Sequence, residues 1–232
     1  MNRALQVVRI QTFTPYNGLF WPWAIMASAF AINIALFATI GDTIPDGPKT
    51  GGIGSIYITA IIVGAILVTQ HLPFMLGFGV TRRTFLRATS LLTLAWALAS
   101  GIGLYLCALV ERATDGWGIR MTFFDFAFLA RGNPIIQILE YAVPLALMAF
   151  LGLLMGAIHL RFGTTGIMVM TVASIVVFGG LAVLLTWQRW WGDFFGWFAD
   201  QPLPILIAGW PAVLTAVCAA GTYLAVRRAT PQ

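Results

Sequence analysis

Long, nearly uninterrupted apolar runs are the feature that most constrains how this chain can fold. Hydrophobic residues make up 59% of its 232 residues and charged residues only 9%, which leaves too little polar surface to cover a soluble globule. The runs are continuous rather than alternating, and continuous runs are typical of membrane-spanning helices, not of membrane barrels. The sequence therefore predicts an all-α, polytopic membrane protein.

Six runs reach the roughly 20 residues that a helix needs to cross the hydrocarbon layer of a bilayer. They form a single transmembrane domain covering residues 1–232, with predicted spans at about 21–40, 55–79, 88–110, 134–160, 164–186 and 203–226. Only residues 161–163 join the fourth span to the fifth.

Basic residues are distributed unevenly between the two sides of this predicted topology. Six spans place both termini on one side, and that side carries eight of the 13 basic residues and no acid: Arg3, Arg9, Arg82, Arg83, Arg87, Arg161, Arg227 and Arg228. Since Lys and Arg accumulate in cytoplasmic loops, we expect cytoplasmic termini. Topology and contact with anionic membrane lipid then explain the net charge of +5, and no nucleic-acid partner is expected.

The connection between the second and third spans is strongly basic. Residues 77–87 read Gly-Phe-Gly-Val-Thr-Arg-Arg-Thr-Phe-Leu-Arg and place three arginines within six residues. These arginines either follow the positive-inside rule alone or form a docking element for a partner chain. Arginine forks bind carboxylates, and Phe85 with Leu86 is a candidate to fill an apolar pocket on such a partner.

Two segments on the opposite side are rich in aromatic residues. At 100° per residue, one half of a helix over residues 187–200 would carry Trp187, Trp190, Trp191, Phe194, Phe195, Trp197 and Phe198. This pattern predicts an amphipathic helix in the outer interface, acting as an anchor or as the lid of an entrance for a lipid-like substrate. A weaker stripe, Trp117, Met121, Phe124 and Phe128, predicts a second interfacial helix.

Three polar residues inside the predicted spans are candidates for a substrate pathway, because polar groups in hydrocarbon are costly. Glu140 lies near the outer end of the fourth span, where pathway, helix-pairing and hydrated-carboxylate roles all stay open. Gln70 and His71 precede Pro73 in the second span, and for His71 an interhelical hydrogen bond is the alternative. Gly152 and Gly156 form a Gly-x-x-x-Gly motif that permits close helix approach.

Motifs for energy coupling or catalysis are missing from the sequence. Pro48 stands where a phosphate-binding loop needs glycine before Lys49, and no Gly-x-Ser-x-Gly elbow occurs. The two histidines lie on different spans, so we expect no metal site, and the two cysteines are expected to be packing residues. The chain is therefore predicted not to be an enzyme, and any work against a gradient requires a separate energy source.

The Gly79-x-Thr81-Arg82-Arg83-x-Phe85 turn, set in six spans with an amphipathic external element before the last one, resembles the permease subunits of type-2 ABC exporters. In particular, the chain is similar to the small bacterial permeases that are encoded without their own ATPase domain. The likeness covers most of the chain in architecture, but in sequence it is concentrated in residues 76–86.

This resemblance implies that the turn is a coupling element that docks on an ABC ATP-binding subunit. The coupling residues would be Thr81, Arg82, Arg83, Thr84, Phe85, Leu86 and Arg87. It further implies a connecting helix in the N-terminal segment, a second permease chain in a homodimer or heterodimer, and location in the bacterial inner membrane. ATP and Mg²⁺ would bind the partner subunit, and this chain itself would hold no cofactor.

A hydrophobic or amphipathic cargo such as a drug, lipid or peptide is expected for such a permease. The alternative is a non-transporting immunity or sensor protein that binds a peptide or lipid at its aromatic external face. That protein would tolerate substitutions in the Arg82–Arg87 turn but not at Trp190 or Trp197.

Overall fold

The computed structural model describes residues 19–40, 47–126, 129 and 132–227. Within these ranges the chain is helical and contains no strand, and its one β-type pairing is an isolated bridge between Lys49 and Thr122. The all-α prediction is confirmed. The connecting helix predicted for the N-terminal segment lies outside the described residues.

The main helices of the described part are α1 to α6 in chain order. They are α1 Trp21–Ile40, α2 Gly54–Gly77, α3 Arg82–Ala113, α4 Pro134–Gln188, α5 Trp191–Ala199 and α6 Ile205–Arg227. All except α5 are long and apolar enough to cross a membrane. The prediction of a membrane protein built from apolar helices is therefore supported, with five span-length helices where six spans were predicted.

Helix α4 contains both the predicted fourth and fifth spans. It has 55 residues, which would extend about 80 Å if straight, far more than the ~30 Å hydrocarbon layer. Gly163 interrupts it with φ 64° and ψ −161°. A Cβ placed on Gly166 would lie 3.4 Å from Ile158 Cγ2, whereas residues eight positions apart in a straight helix are ~12 Å apart. The chain therefore bends sharply at Gly163, between the two predicted spans.

Glycines bring α2 and the first part of α4 into close contact. A Cβ on Gly152 would collide with the backbone carbonyl of Ile61, and one on Gly64 with that of Ala149. At Gly156 an added Cβ would lie 2.7 Å from the carbonyl oxygen of Ala65. The Gly-x-x-x-Gly motif thus packs against another helix of the same chain, which is the close approach expected from small residues.

Two clusters of buried residues form the core between α2, α3 and the first part of α4. The turn-side cluster, near the connection from α2 to α3, includes Val68, Phe85, Phe150, Leu153 and Val226. The loop-side cluster, at the opposite ends of these helices, includes Ile56, Leu104, Phe123, Tyr141 and Leu145. Helix α6 contributes only to the turn-side cluster.

The second part of α4 is packed quite differently from the first. Most of its apolar side chains are exposed, including Val172, Ile175, Val176, Phe178 and Val183. An apolar surface of this size is unfavourable in water and is typical of a surface covered by lipid or by another chain. The packed core of the protein therefore ends near Gly163.

Candidate functional sites

The basic turn is the start of helix α3. Gly79 adopts φ +75°, a left-handed conformation that glycine reaches without strain, and the helix begins at Arg82. Thr81 is the N-cap, and its side-chain oxygen accepts a hydrogen bond of 3.3 Å from the backbone N–H of Thr84. The predicted third span, residues 88–110, is thus the central part of a longer helix, Arg82–Ala113, whose first turns carry the arginines.

The arginines do not serve the stability of this helix. Its first turn carries Arg82 and Arg83 and no acid, although the partial positive charge at a helix N-terminus favours acids there. Two cations at this end cost stability rather than adding to it. The arginines at this position are therefore explained either by the positive-inside rule or by binding of a partner chain.

The seven predicted coupling residues separate into exposed and buried groups. Thr81, Arg83 and Arg87 are exposed, while Arg82 and Thr84 are half-buried. Phe85 is fully buried and Leu86 is 8% exposed, both in the turn-side cluster. Phe85 and Leu86 therefore fill the protein's own core and are not available to enter a pocket on a partner, which corrects the role expected for them.

Arg82 connects the turn to the last helix. Its guanidinium donates a hydrogen bond of 3.5 Å to the backbone oxygen of Val226, one residue before α6 ends at Arg227. A basic group near a helix C-terminus interacts favourably with its unpaired carbonyls. The turn is thus attached to α6 through Arg82 and to the core through Phe85.

The three predicted pathway residues do not form one site. Glu140 is 2% exposed, whereas Gln70 is exposed and His71 half-buried. The hydroxyl of Tyr57 lies 3.4 Å from the backbone oxygen of Tyr141, which places Glu140 near the level of Tyr57. Gln70 follows Tyr57 by 13 residues, so it lies roughly 20 Å further along α2.

Gln70 and His71 lie in a widened, π-helical segment of α2, Leu67–His71. Pro73 follows two residues later; it has no N–H to donate, and its ring would clash with the carbonyl four residues earlier. A π-bulge is one way for a helix to accommodate such a break, and these bulges are frequent at functional sites. The exposed Gln70 is the polar side chain that this segment presents outside the core.

A buried carboxylate organises the loop that follows α3. Glu111 is 3% exposed, and its oxygens accept backbone N–H bonds from Phe123 at 3.1 and 3.2 Å, Phe124 at 2.9 Å and Asp125 at 3.0 Å. They also accept a bond of 3.0 Å from the indole Nε1 of Trp117. A buried charge needs such full pairing. One side chain thus fixes the loop of residues 114–126, the 114–126 loop.

Further contacts attach the 114–126 loop to its neighbours. Arg112 forms an ion pair with Asp125, and the hydroxyl of Tyr141 donates a 2.8 Å hydrogen bond to the backbone oxygen of Phe124. Phe30 of α1 packs against Phe123 with ring centroids 5.1 Å apart. The loop is therefore held by α1, α3 and α4 together.

The second interfacial helix predicted from Trp117, Met121, Phe124 and Phe128 is wrong for the described residues. Trp117 and Gly118 have positive φ angles, and Met121 is extended. The N–H groups of residues 123–125 pair with Glu111 and not with carbonyls of a helix. Phe128 lies outside the described residues. Glu111 was not among the residues identified from the sequence; its position at the end of an apolar run is the one sequence signal that points to it.

The predicted external helix over residues 187–200 is shorter than expected. Helix α5 spans Trp191–Ala199, and Trp187 belongs instead to the end of α4. Between the two helices Arg189 adopts φ 59°. The N–H of Arg189 donates a 3.2 Å hydrogen bond to the backbone oxygen of Thr186, and the N–H of Trp190 donates a 3.0 Å hydrogen bond to that of Leu185. This pair of bonds is a Schellman motif, which ends α4 and turns the chain into α5.

Aromatic side chains cover α5 on the outside of the protein. Trp190, Trp191, Phe194 and Trp197 are all exposed by more than a third of their surface. Leu185, Trp190, Asp193, Phe194 and Trp197 line an open cavity of about 400 Å³, the aromatic cavity. The Trp197 ring lies 5.7 Å from that of Trp210 at the start of α6's regular part.

The described residues contain no group of three His, Cys, Asp or Glu side chains placed to hold a metal ion. Cys107 and Cys218 are free thiols. Comparison with known proteins finds no matching family model, no matching curated protein and no matching solved structure. The functional argument therefore depends on the residues and geometry of this chain.

Proposed function

We propose that this chain is the permease subunit of an ATP-driven ABC exporter in the bacterial inner membrane, with ATP and Mg²⁺ bound by a separate ATP-binding subunit. The observation that carries the proposal is the start of α3. Arg83 and Arg87 are exposed there, whereas Phe85 and Leu86, which lie between them in the sequence, are buried in the core. The exposed arginines would form a charged docking surface, and the buried side chains attach that surface rigidly to the spanning helices.

The buried side chains attach this turn to several helices, so a force applied to the turn would be transmitted to them. Phe85 belongs to the same cluster as Val68 of α2 and Val226 of α6, and Arg82 donates to the Val226 carbonyl. A force applied to Arg83 or Arg87 by a closing ATP-binding subunit would therefore move α3 and α6 together. Packed interfaces of this kind shift between discrete arrangements rather than deforming continuously.

The proposed topology has six crossings with both termini in the cytoplasm. The bend at Gly163 supports it, because each part of α4, residues 134–162 and 164–188, is long enough to cross the bilayer alone. The two parts would then run in opposite directions and place Arg161 on the same side as the basic turn. This arrangement agrees with the distribution of arginines in the sequence.

Two permease chains would enclose the substrate pathway. The exposed apolar surface of residues 164–184 is consistent with contact between this face and a second chain or lipid. The same apolar character favours a hydrophobic or amphipathic substrate. Gln70, exposed on α2, is the better candidate for a pathway residue than Glu140, which is buried inside the chain.

The test is co-purification of the chain with an ATP-binding protein from native membranes, followed by charge reversal of the exposed arginines. We expect the double variant Arg83→Glu, Arg87→Glu to lose the partner. Arg161→Glu is the matched control, since it removes a cytoplasmic charge at a different turn. Arg82 and Phe85 stay unchanged, because their structural contacts would confound the result.

Three results would contradict this proposal, the first and third for the docking role of the turn and the second for the export function itself. Equal loss of the partner in Arg161→Glu would mean that the arginines act only through topology. Failure of any ATP-binding protein to co-purify would favour the immunity or sensor function. Retention of the partner by the double variant, with the protein folded and inserted, would exclude the turn as the docking element.

A further inference from the structure

We propose that the aromatic cavity binds an organic cation with an apolar tail, of the quaternary-ammonium class. This site goes beyond the proposed export function, because it needs no ATP-binding subunit and no second chain. Its lining combines three aromatic side chains with one carboxylate, and no basic residue is among the described residues that line it.

The geometry of α5 brings these groups to one face. Trp190 immediately precedes α5, and Asp193, Phe194 and Trp197 follow it at positions i+3, i+4 and i+7, so the four side chains lie along one side of this segment. The Schellman turn at Arg189 places Leu185 of α4 beside them. Leu185 gives the cavity an apolar wall, while the rings and the carboxylate form the remaining walls.

The chemistry of the cavity favours a cation over a neutral or anionic group. The faces of Trp and Phe rings carry negative quadrupole density, which attracts cations lying within ~6 Å, and cages of such rings recognise quaternary ammonium groups. The Asp193 carboxylate adds a full negative charge, and within the described part of the chain it forms no ion pair. An ammonium ion in this cavity would satisfy both.

The size and openness of the cavity fit an amphiphile. Its volume of about 400 Å³ lies within the range of ordinary ligand pockets. The exposed apolar residues at the end of α4, including Leu184 and Trp187, continue the apolar surface beyond Leu185. An alkyl tail would lie along this surface while the ammonium group occupies the cage.

The competing explanation is that α5 is only a membrane anchor. Asp193 would then act as a favourable charge in the first turn of the helix, and the rings would contact lipid without selecting for charge. Anchoring depends on apolar area and is insensitive to whether a ligand carries a cation. Charge selectivity therefore separates the two explanations.

The experiment measures equilibrium binding of radiolabelled decyltrimethylammonium to the full chain in nanodiscs made from lipids without choline headgroups. Empty nanodiscs give the baseline, and 1-decanol and decyl sulfate are the uncharged and anionic comparisons. We expect saturable binding of the cation, weakened at least tenfold by Asp193→Asn and by Trp197→Leu. The matched controls Asp200→Asn and Trp21→Leu, both outside the cavity lining and the apolar surface beside it, should bind as the unchanged protein does.

The proposal is overturned if decyltrimethylammonium shows no saturable binding above empty nanodiscs. It is equally overturned if 1-decanol competes as well as the cation, or if Asp200→Asn weakens binding as much as Asp193→Asn. Thermal unfolding of each variant, without ligand, verifies that a loss of binding is not a loss of fold. None of these results depends on whether an ATP-binding subunit is found.

Discussion

The 114–126 loop and helix α5 are both rich in aromatic residues but have opposite relations to the rest of the protein. In the loop Phe123 is fully buried and Phe124 is 3% exposed, whereas in α5 Phe195 is 61% exposed. The loop has irregular backbone and is fixed by one carboxylate; α5 is regular, and its carboxylate faces a cavity. Aromatic residues thus complete a core in one segment and create a free surface in the other.

The difference originates in where the polar groups find partners. Glu111 accepts four different N–H groups, so the loop can be buried without leaving its backbone unsatisfied. The central backbone groups of α5 pair within the helix and its ends lie at the surface of the protein, so α5 needs no buried acceptor of this kind. The comparison predicts that stability is concentrated in the loop and ligand binding in the helix.

Replacing Glu111 by Ala should have the largest effect on stability. Four N–H donors would lose their acceptor, and each buried unsatisfied donor costs at least ~1 kcal/mol, so we expect a loss of about 4 kcal/mol or more. SDS denaturation in mixed micelles measures the change in unfolding free energy. Asp193→Ala in α5 is the matched control, expected to change it by less than ~0.5 kcal/mol.

If Glu111→Ala does not fold, Glu111→Gln keeps one oxygen acceptor and should give an intermediate loss. Limited proteolysis would then show increased cleavage within the 114–126 loop. Equal protease resistance of variant and unchanged protein would contradict the role assigned to Glu111.

The same substitution, Phe to Ala, made once in the loop and once in α5 compares how much each segment contributes to stability. Phe123→Ala should cost about 3–5 kcal/mol, because it removes a buried ring that contacts Phe30 and leaves a cavity. Phe195→Ala should cost less than ~0.5 kcal/mol, since its ring is exposed. The same denaturation assay measures both, and similar costs for the two variants would remove the distinction between the segments.

Removal of one hydroxyl should have a smaller effect on the loop. Tyr141→Phe deletes the hydrogen bond to the Phe124 carbonyl while keeping the ring, so we expect a loss of about 1–2 kcal/mol. Tyr223→Phe, whose hydroxyl makes no hydrogen bond with the described residues, is the control. A loss for Tyr141→Phe no greater than that for Tyr223→Phe would show that this bond does not support the loop.

Trp197→Leu should have the smallest effect on stability while altering the aromatic cavity most. Its ring is 46% exposed, so the unfolding free energy of the variant should lie within ~0.5 kcal/mol of that of the unchanged protein. Binding of decyltrimethylammonium should nevertheless weaken. A stability loss comparable to that of Phe123→Ala would mean that α5 is part of the core and not a separate surface.

Several features could be read from local sequence alone. Continuous apolar runs predicted helices of span length, and the first of them, residues 21–40, has the bounds of α1. The aromatic spacing after residue 187 predicted a helix, and α5 is found there, though it begins at Trp191. These predictions depend on hydrophobicity and periodicity, which neighbouring residues determine among themselves.

Other features required contacts between distant residues. Phe85 follows Arg83 by two positions, and only the packing of α2, α4 and α6 around it decides that it is buried while Arg83 is exposed. The Gly152–Gly156 motif showed that two helices would approach closely, and the structure supplied Ile61 and Ala65 as the partners.

By itself, then, the sequence determined the all-helical class, the apolar runs of span length and the basic turn at the start of α3, because composition and helical periodicity are local properties. Only the tertiary structure decided that Glu111 holds the 114–126 loop, since the three backbone N–H groups that it accepts belong to residues 12–14 positions further along the chain. A buried carboxylate outcompetes a helical tendency when it accepts several N–H groups at once, and that competition depends on the three-dimensional arrangement of the chain.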